Sequence, residues 1–213
     1  MKKITLLFAL ILLAAGCQTN PAPEPKQEQP PPIATSTDDN TKKPAPLLKE
    51  PIADALPRVT KKPFGIYITP KNSPVQPEKF SGYHTGTDFE IFDGEQDIDV
   101  AIYAVCDGKI LVKRFAAGYG GILVQACELE GSDITIVYGH LKLTSIDAEI
   151  GNELTAGEKF AILGKGYSTE TDDERKHLHL GIHKGSNIDI KGYVSTETEL
   201  DSWLDFENIS PKK

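Results

Sequence analysis

Short apolar runs separated by Gly, Asp and Asn dominate the pattern of residues 58–213. They are Phe64–Thr69, Val100–Val105, Lys109–Phe115, Ile122–Cys127, Asp133–Tyr138, Lys159–Leu163 and His177–His183. Runs of this length bounded by turn residues predict strands, and roughly 155 residues suffice for one domain with its own core. The last run, His177-Leu-His-Leu-Gly-Ile-His183, alternates strictly. It predicts a half-buried strand with Leu178, Leu180 and Ile182 on the core face and the histidines on the other. One helix is predicted, over Thr196–Phe206: Thr196 and Glu199 form a capping box, and Leu200, Trp203 and Leu204 share a face whose expected role is packing. The expected fold class is therefore mainly β, an antiparallel sheet with one short C-terminal helix.

The first 57 residues follow a different pattern. Met1-Lys-Lys, the apolar run Ile4–Leu13 and Ala14-Ala-Gly-Cys17 read as a secretory leader. The run is too short for a bilayer that needs about 20 apolar residues. Small residues directly before Cys17 resemble the lipobox of bacterial lipoproteins, in which the leader is removed and the new N-terminal cysteine is lipidated; Ala14 stands where leucine is commoner. Several acyl chains on one residue anchor a protein stably where one chain is marginal. From Gln18 to Pro57 there are ten prolines and no aromatic residue, a composition that builds no core. At about 3 Å per residue such a linker reaches on the order of 100 Å. The expected organisation is a leader over 1–16, a lipidated cysteine and disordered linker over 17–57, and a folded domain over 58–213. The expected location is the cell envelope, with the domain held outside the cytoplasm by lipid on a bacterial membrane.

With Lys2 and Lys3 removed in the leader, 21 basic residues face 31 acidic ones, a formal charge of −10. That balance and an exported location exclude nucleic acid as an expected partner. They also leave Cys106 and Cys127 in an oxidising setting. The segments Ile102–Phe115 and Gly121–Leu129 read as a hairpin turning near Ala116-Ala117-Gly118, which sets Cys106 opposite Cys127. A disulfide is expected, with two buried free thiols as the alternative.

Four of the five histidines fall in three motifs: His84-Thr-Gly-Thr-Asp88, Tyr138-Gly-His140-Leu and His177-Leu-His179. Catalytic zinc takes nitrogen and oxygen donors and keeps one position open. His84, Asp88 and one histidine of the His-x-His pair supply three ligands, and two histidines remain for acid-base work. Side chains two apart on a strand are based roughly 6 to 7 Å from one another, a spacing that suits one ligand beside one base. His183, roughly 13 Å from His179 along the strand, is read as a rim residue. No His-Glu-x-x-His helix is present, which excludes the arrangement with a glutamate base.

Over roughly Pro63 to Gly185 these motifs resemble the lysostaphin-type, or LytM-like, zinc endopeptidases of bacterial cell walls. The resemblance implies His84, Asp88 and His179 as ligands to one zinc ion. It also implies His140 and His177 as the groups contacting the attacking water and the developing oxyanion, either of them taking and returning the proton. It further implies a barrel-sandwich hybrid half, consistent with the rhythm Ile146–Gly151, Leu154–Gly157 and Phe160–Gly164, which is similar to that of biotinyl and lipoyl carriers. Two departures bear on the groove. Thr171-Asp-Asp-Glu-Arg-Lys176 is charged where relatives carry small residues and a Gly-Pro. Glu90, Asp93, Glu95, Asp97 and Asp99 make a long acidic connection, read as a solvated loop rather than a calcium site.

The implied function is a membrane-anchored zinc endopeptidase acting on peptidoglycan peptides. The competing readings are a non-catalytic regulator of cell-wall amidases and a secreted peptidase against protein substrates. The presence of all five site residues favours an enzyme.

Overall fold

The computed structural model describes residues 48–210. The leader, Cys17 and the greater part of the linker lie outside these residues. The described chain is mainly β. Its strands are β1 (Tyr67–Ile68), β2 (Gly82–His84), β3 (Gly86–Glu90), β4 (Ala101–Tyr103), β5 (Gly108–Ala116), β6 (Gly120–Leu129), β7 (Ser132–Gly139), β8 (Glu153–Leu154), β9 (Lys159–Ile162), β10 (His177–Lys184) and β11 (Tyr193–Val194). Short helices α1 (Glu197–Leu200) and α2 (Phe206–Ile209) follow. The strands form a six-stranded sheet in the order β3-β10-β7-β6-β5-β8, a three-stranded sheet β1-β2-β11 and a two-stranded sheet β4-β9. All pairings are antiparallel, as the sequence pattern predicts.

One face of the large sheet is core. Leu178, Leu180 and Ile182 of β10, Phe89 of β3, Ile136 and Tyr138 of β7 and Leu123 of β6 are buried in one cluster, each reached by the two-residue strand period. The Tyr138 hydroxyl donates to Gln125 Oε1 at 2.8 Å and accepts from the Val105 amide at 2.9 Å, while Gln125 Nε2 donates to the Cys106 carbonyl. This satisfied polar chain sits beside the Cys106–Cys127 disulfide, whose Cα atoms are 6.1 Å apart. The expected pairing of these cysteines is thus present.

Two expected boundaries change. Residues 48–57, read as the end of the linker, belong to the folded body. Leu48, Ile52 and Ala55 are buried in the main core, and Lys49 and Tyr103 make backbone hydrogen bonds with Val105 and Pro51. Three apolar side chains among the prolines outweigh the linker composition once strand β4 offers an edge. The helix expected over Thr196–Phe206 forms only over α1, and α2 begins where it was expected to end. The Thr196–Glu199 capping box forms, but the helix ends at Leu200 because Trp203 leaves it to form a β-bridge with His183. Trp203 is buried against the His183 ring at 4.8 Å, so it packs rather than stacks on a substrate.

Candidate metal centre

Strand register assembles the site. Asp88 of β3 and Gly139 of β7 both pair with His179 of β10, so one row across the sheet carries Asp88 and His179, and His140 follows at the end of β7. His177 pairs with Glu90 one step along. His84 arrives from the three-stranded sheet, opposite Tyr193. His140 adopts φ +62°, a left-handed backbone uncommon outside glycine that turns its side chain out of the strand.

His84 Nε2, Asp88 Oδ1 and His179 Nδ1 form a triangle with edges of 3.0, 3.1 and 3.2 Å. Tetrahedral zinc with bonds of about 2.0 Å places neighbouring ligand atoms about 3.3 Å apart, so this donor set fits that ion. Among the described residues this is a metal-sized cluster of buried ligand atoms. The tautomers agree with that use. His84 Nδ1 lies 3.2 Å from the Pro63 carbonyl, which only an N–H can satisfy, and the lone pair of Nε2 therefore faces the triangle.

His177 and His140 stand beside the triangle with ring centres 4.2 Å apart. His177 Nδ1 donates to the Arg175 carbonyl at 2.9 Å, and its Nε2 faces Asp88 Oδ2 at 3.3 Å. Burial, reinforced by the charge of His177, holds His140 well below the usual histidine range; its Nδ1 is buried with no protein partner. Burial likewise lowers His179 to about 4. Burial alone would raise Asp88, but His84 and His177 outweigh it and keep the carboxyl well below its usual range. All five sequence-predicted site residues thus come together, and His183 lies apart against Trp203.

The site opens into a cleft of about 450 Å³ whose lining includes Lys62, Phe80, Tyr119, Arg175, Lys191 and Tyr193 beside the five site residues. Its far wall is held by a buried ion pair. Lys62 Nζ lies 2.5 Å from Glu78 Oε2 and donates to the Tyr193 hydroxyl at 3.0 Å. Because that hydroxyl oxygen accepts from Lys62, its own proton is free to be donated elsewhere. Phe80 stacks on Tyr193 with centres 5.5 Å apart.

The acidic connection is exposed at Asp93, Asp97 and Asp99, as expected of a solvated loop, but its other two acids are tied down. Glu90 is buried at the end of β3 against Arg175, Glu95 pairs with buried Arg58, and Lys176 Nζ donates to the carbonyls of Glu95, Gln96 and Ile98. Arg175 and Lys176 of the charged stretch before the paired histidines are thus tied to the acidic stretch after Asp88, while Glu174 pairs with Lys79 and Asp172 accepts from the Gly118 amide. Glu90 is two residues beyond Asp88 on β3 and so shares its face, whereas Arg175 precedes β10 and is brought to Glu90 only by the fold. The contributions of Lys62, Glu78 and Tyr193 left no mark in the sequence motifs.

A mainly β protein with a His-Asp-His cluster and two more histidines at its edge belongs by architecture and donor set among the metallopeptidases. The chain is a LytM-like member of peptidase family M23, whose family model matches residues 82–190. Lys62, Glu78, Phe80 and Tyr193 fall outside the matched segment. Among solved structures it is similar to LytU, at 24% identity over 73% of this chain and 92% of that one with a TM-score of 0.46. It is also similar to a zinc-containing peptidase from Vibrio cholerae, at 22% identity, 69% and 41% coverage and a TM-score of 0.41. A third is Csd3 of Helicobacter pylori, at 20% identity, 75% and 36% coverage and a TM-score of 0.43. The chain thus spans nearly all of LytU and less than half of the other two. No curated protein matches it.

Proposed function

We propose that this protein is a lipid-anchored zinc endopeptidase that hydrolyses peptide bonds in the cross-links or stem peptides of peptidoglycan. The observation that carries this reading is the 3.0 to 3.2 Å triangle of His84, Asp88 and His179 with His140 and His177 beside it. The reading takes one zinc ion per chain on those three ligands, with His140 and His177 as the catalytic pair. Bound there, zinc supplies a Lewis acid that draws the pKa of water toward neutrality.

His177 is the better placed proton carrier. Its Nδ1–H is committed to the Arg175 carbonyl, so a proton taken from an attacking water enters at Nε2, where Asp88 Oδ2 stands 3.3 Å away to stabilise the imidazolium. The same nitrogen returns it to the leaving amine. His140, kept neutral by burial, is suited to donate a hydrogen bond to charge developing on the carbonyl oxygen. The walls of the cleft orient the peptide and exclude water.

The leader over 1–16, lipid on Cys17 and the proline-rich tether are part of this proposal and rest on sequence alone. They put the domain in the envelope, outside the cytoplasm, within reach of the wall. The test is digestion of isolated peptidoglycan by zinc-loaded and chelator-treated protein, with released fragments identified by mass. New amine and carboxyl ends at one peptide bond, dependent on zinc, are expected. Stoichiometric zinc without cleavage would instead direct attention to a role as regulator of a cell-wall amidase.

A further inference from the structure

Asp88 divides its two oxygens between different tasks. Oδ1 faces His179 Nδ1 at 3.1 Å and His84 Nε2 at 3.2 Å. Oδ2 accepts from Arg175 Nη2 at 2.8 Å and faces His177 Nε2 at 3.3 Å. Arg175 is fixed in its turn by Glu90: Nε lies 2.9 and 3.0 Å from the two carboxylate oxygens, and Nη2 lies 2.5 Å from Oε1. All three side chains are buried, and Lys61 Nζ reaches the outer oxygen of Glu90 at 3.3 Å.

Asp88 and Glu90 lie on one face of β3, and His177 pairs with Glu90 across β10. A guanidinium two residues before His177 therefore projects between the two carboxylates. Only arginine suits this place, because its planar fork presents separate N–H groups to both acceptors whereas lysine offers a point charge.

From this arrangement we infer that Arg175, anchored by Glu90, is a positioning residue that occupies Asp88 Oδ2 and confines the carboxylate to offering a single oxygen, Oδ1, to the metal. A carboxylate free to turn can present both oxygens to a cation. Holding one of them back preserves the open position that catalysis needs and keeps Oδ2 available to His177. The inference rests on the metal-site reading proposed above.

The test is cobalt(II) substitution of the full chain, whose visible absorption is stronger for four-coordinate than for five-coordinate cobalt, together with zinc affinity by chelator competition. The variants are R175K and the charge-balanced pair R175M/E90Q, which buries no unpaired charge and keeps the test open if single variants fail to fold. The expected result is weaker, shifted cobalt absorption and zinc affinity lowered roughly 10- to 100-fold in a folded double variant, with R175K not restoring the native spectrum. A folded double variant with native spectrum and native zinc affinity would overturn the role of Arg175 while leaving the metal site standing. Failure of the unaltered chain to bind cobalt or zinc would overturn the metal-site reading itself.

Discussion

Gly86 lies so close to the imidazole of His179 that a Cβ there would stand 2.6 Å from both Cε1 and Nε2, and 2.7 Å from the Leu180 carbonyl oxygen. The glycine of His84-Thr-Gly-Thr-Asp88 is therefore the floor on which the His179 imidazole rests. Gly86→Ala must push His179 aside or part β3 from β10. Zinc affinity is expected to fall roughly 10- to 100-fold, the scale on which disturbed ligand surroundings act, in chelator competition. An alanine variant with native affinity would contradict the packing.

The Lys62–Glu78 pair predicts a pH signature. Burial pushes the Glu78 carboxyl up, but the Lys62 hydrogen bond, helped by the Phe80 amide and the Ser73 hydroxyl, brings it below the ordinary value of 4.5. A carboxylate depressed in the folded state contributes stability above its unfolded value and loses it as pH falls through the folded one. Glu78→Gln leaves the Lys62 ammonium without its counter-ion and is expected to cost roughly 1 to 3 kcal/mol near neutrality, since Glu78 as a residue is only partly buried. Urea denaturation of both proteins should show that difference shrinking as pH falls below about 4. A difference independent of pH would refute the assignment.

The Cys106–Cys127 bond closes a loop with a sequence separation of 21 residues. A loop of that size predicts about 3 kcal/mol of stabilisation through the unfolded chain. Cys106→Ser/Cys127→Ser should lower the denaturation midpoint accordingly while retaining metal, since neither residue touches the site. Unchanged stability would show that the bridge adds nothing to this fold.

The sequence made the chemistry more legible than the strands that hold it. His84, Asp88, His140, His177 and His179 were all visible as motifs, and β10 was visible through its alternation. Strands β2 and β3, which carry two of the three residues of the His-Asp-His cluster, were not. Every residue of β3 is buried, so polar Thr87 and Asp88 beside Gly86 broke the apolar rhythm that marks a strand. The helix over Thr196–Phe206 was overstated because Trp203 satisfies the apolar face of a helix and the partner site of His183 equally well in one dimension. Arg175 and Glu90 read as loop charges because their compensation is between segments 85 residues apart in the chain, which no local window contains.

In the proposed mechanism three residues hold the metal and a fourth moves the proton. Bound zinc and peptidoglycan cleavage, measured in parallel for the native protein, Asp88→Ala and His177→Ala, separate these two roles. Asp88→Ala is expected to lose both zinc and activity, whereas His177→Ala is expected to keep stoichiometric zinc and to lose turnover by about 100- to 10,000-fold. Full cleavage by the His177 variant, or native zinc content and activity without Asp88, would contradict that mechanism.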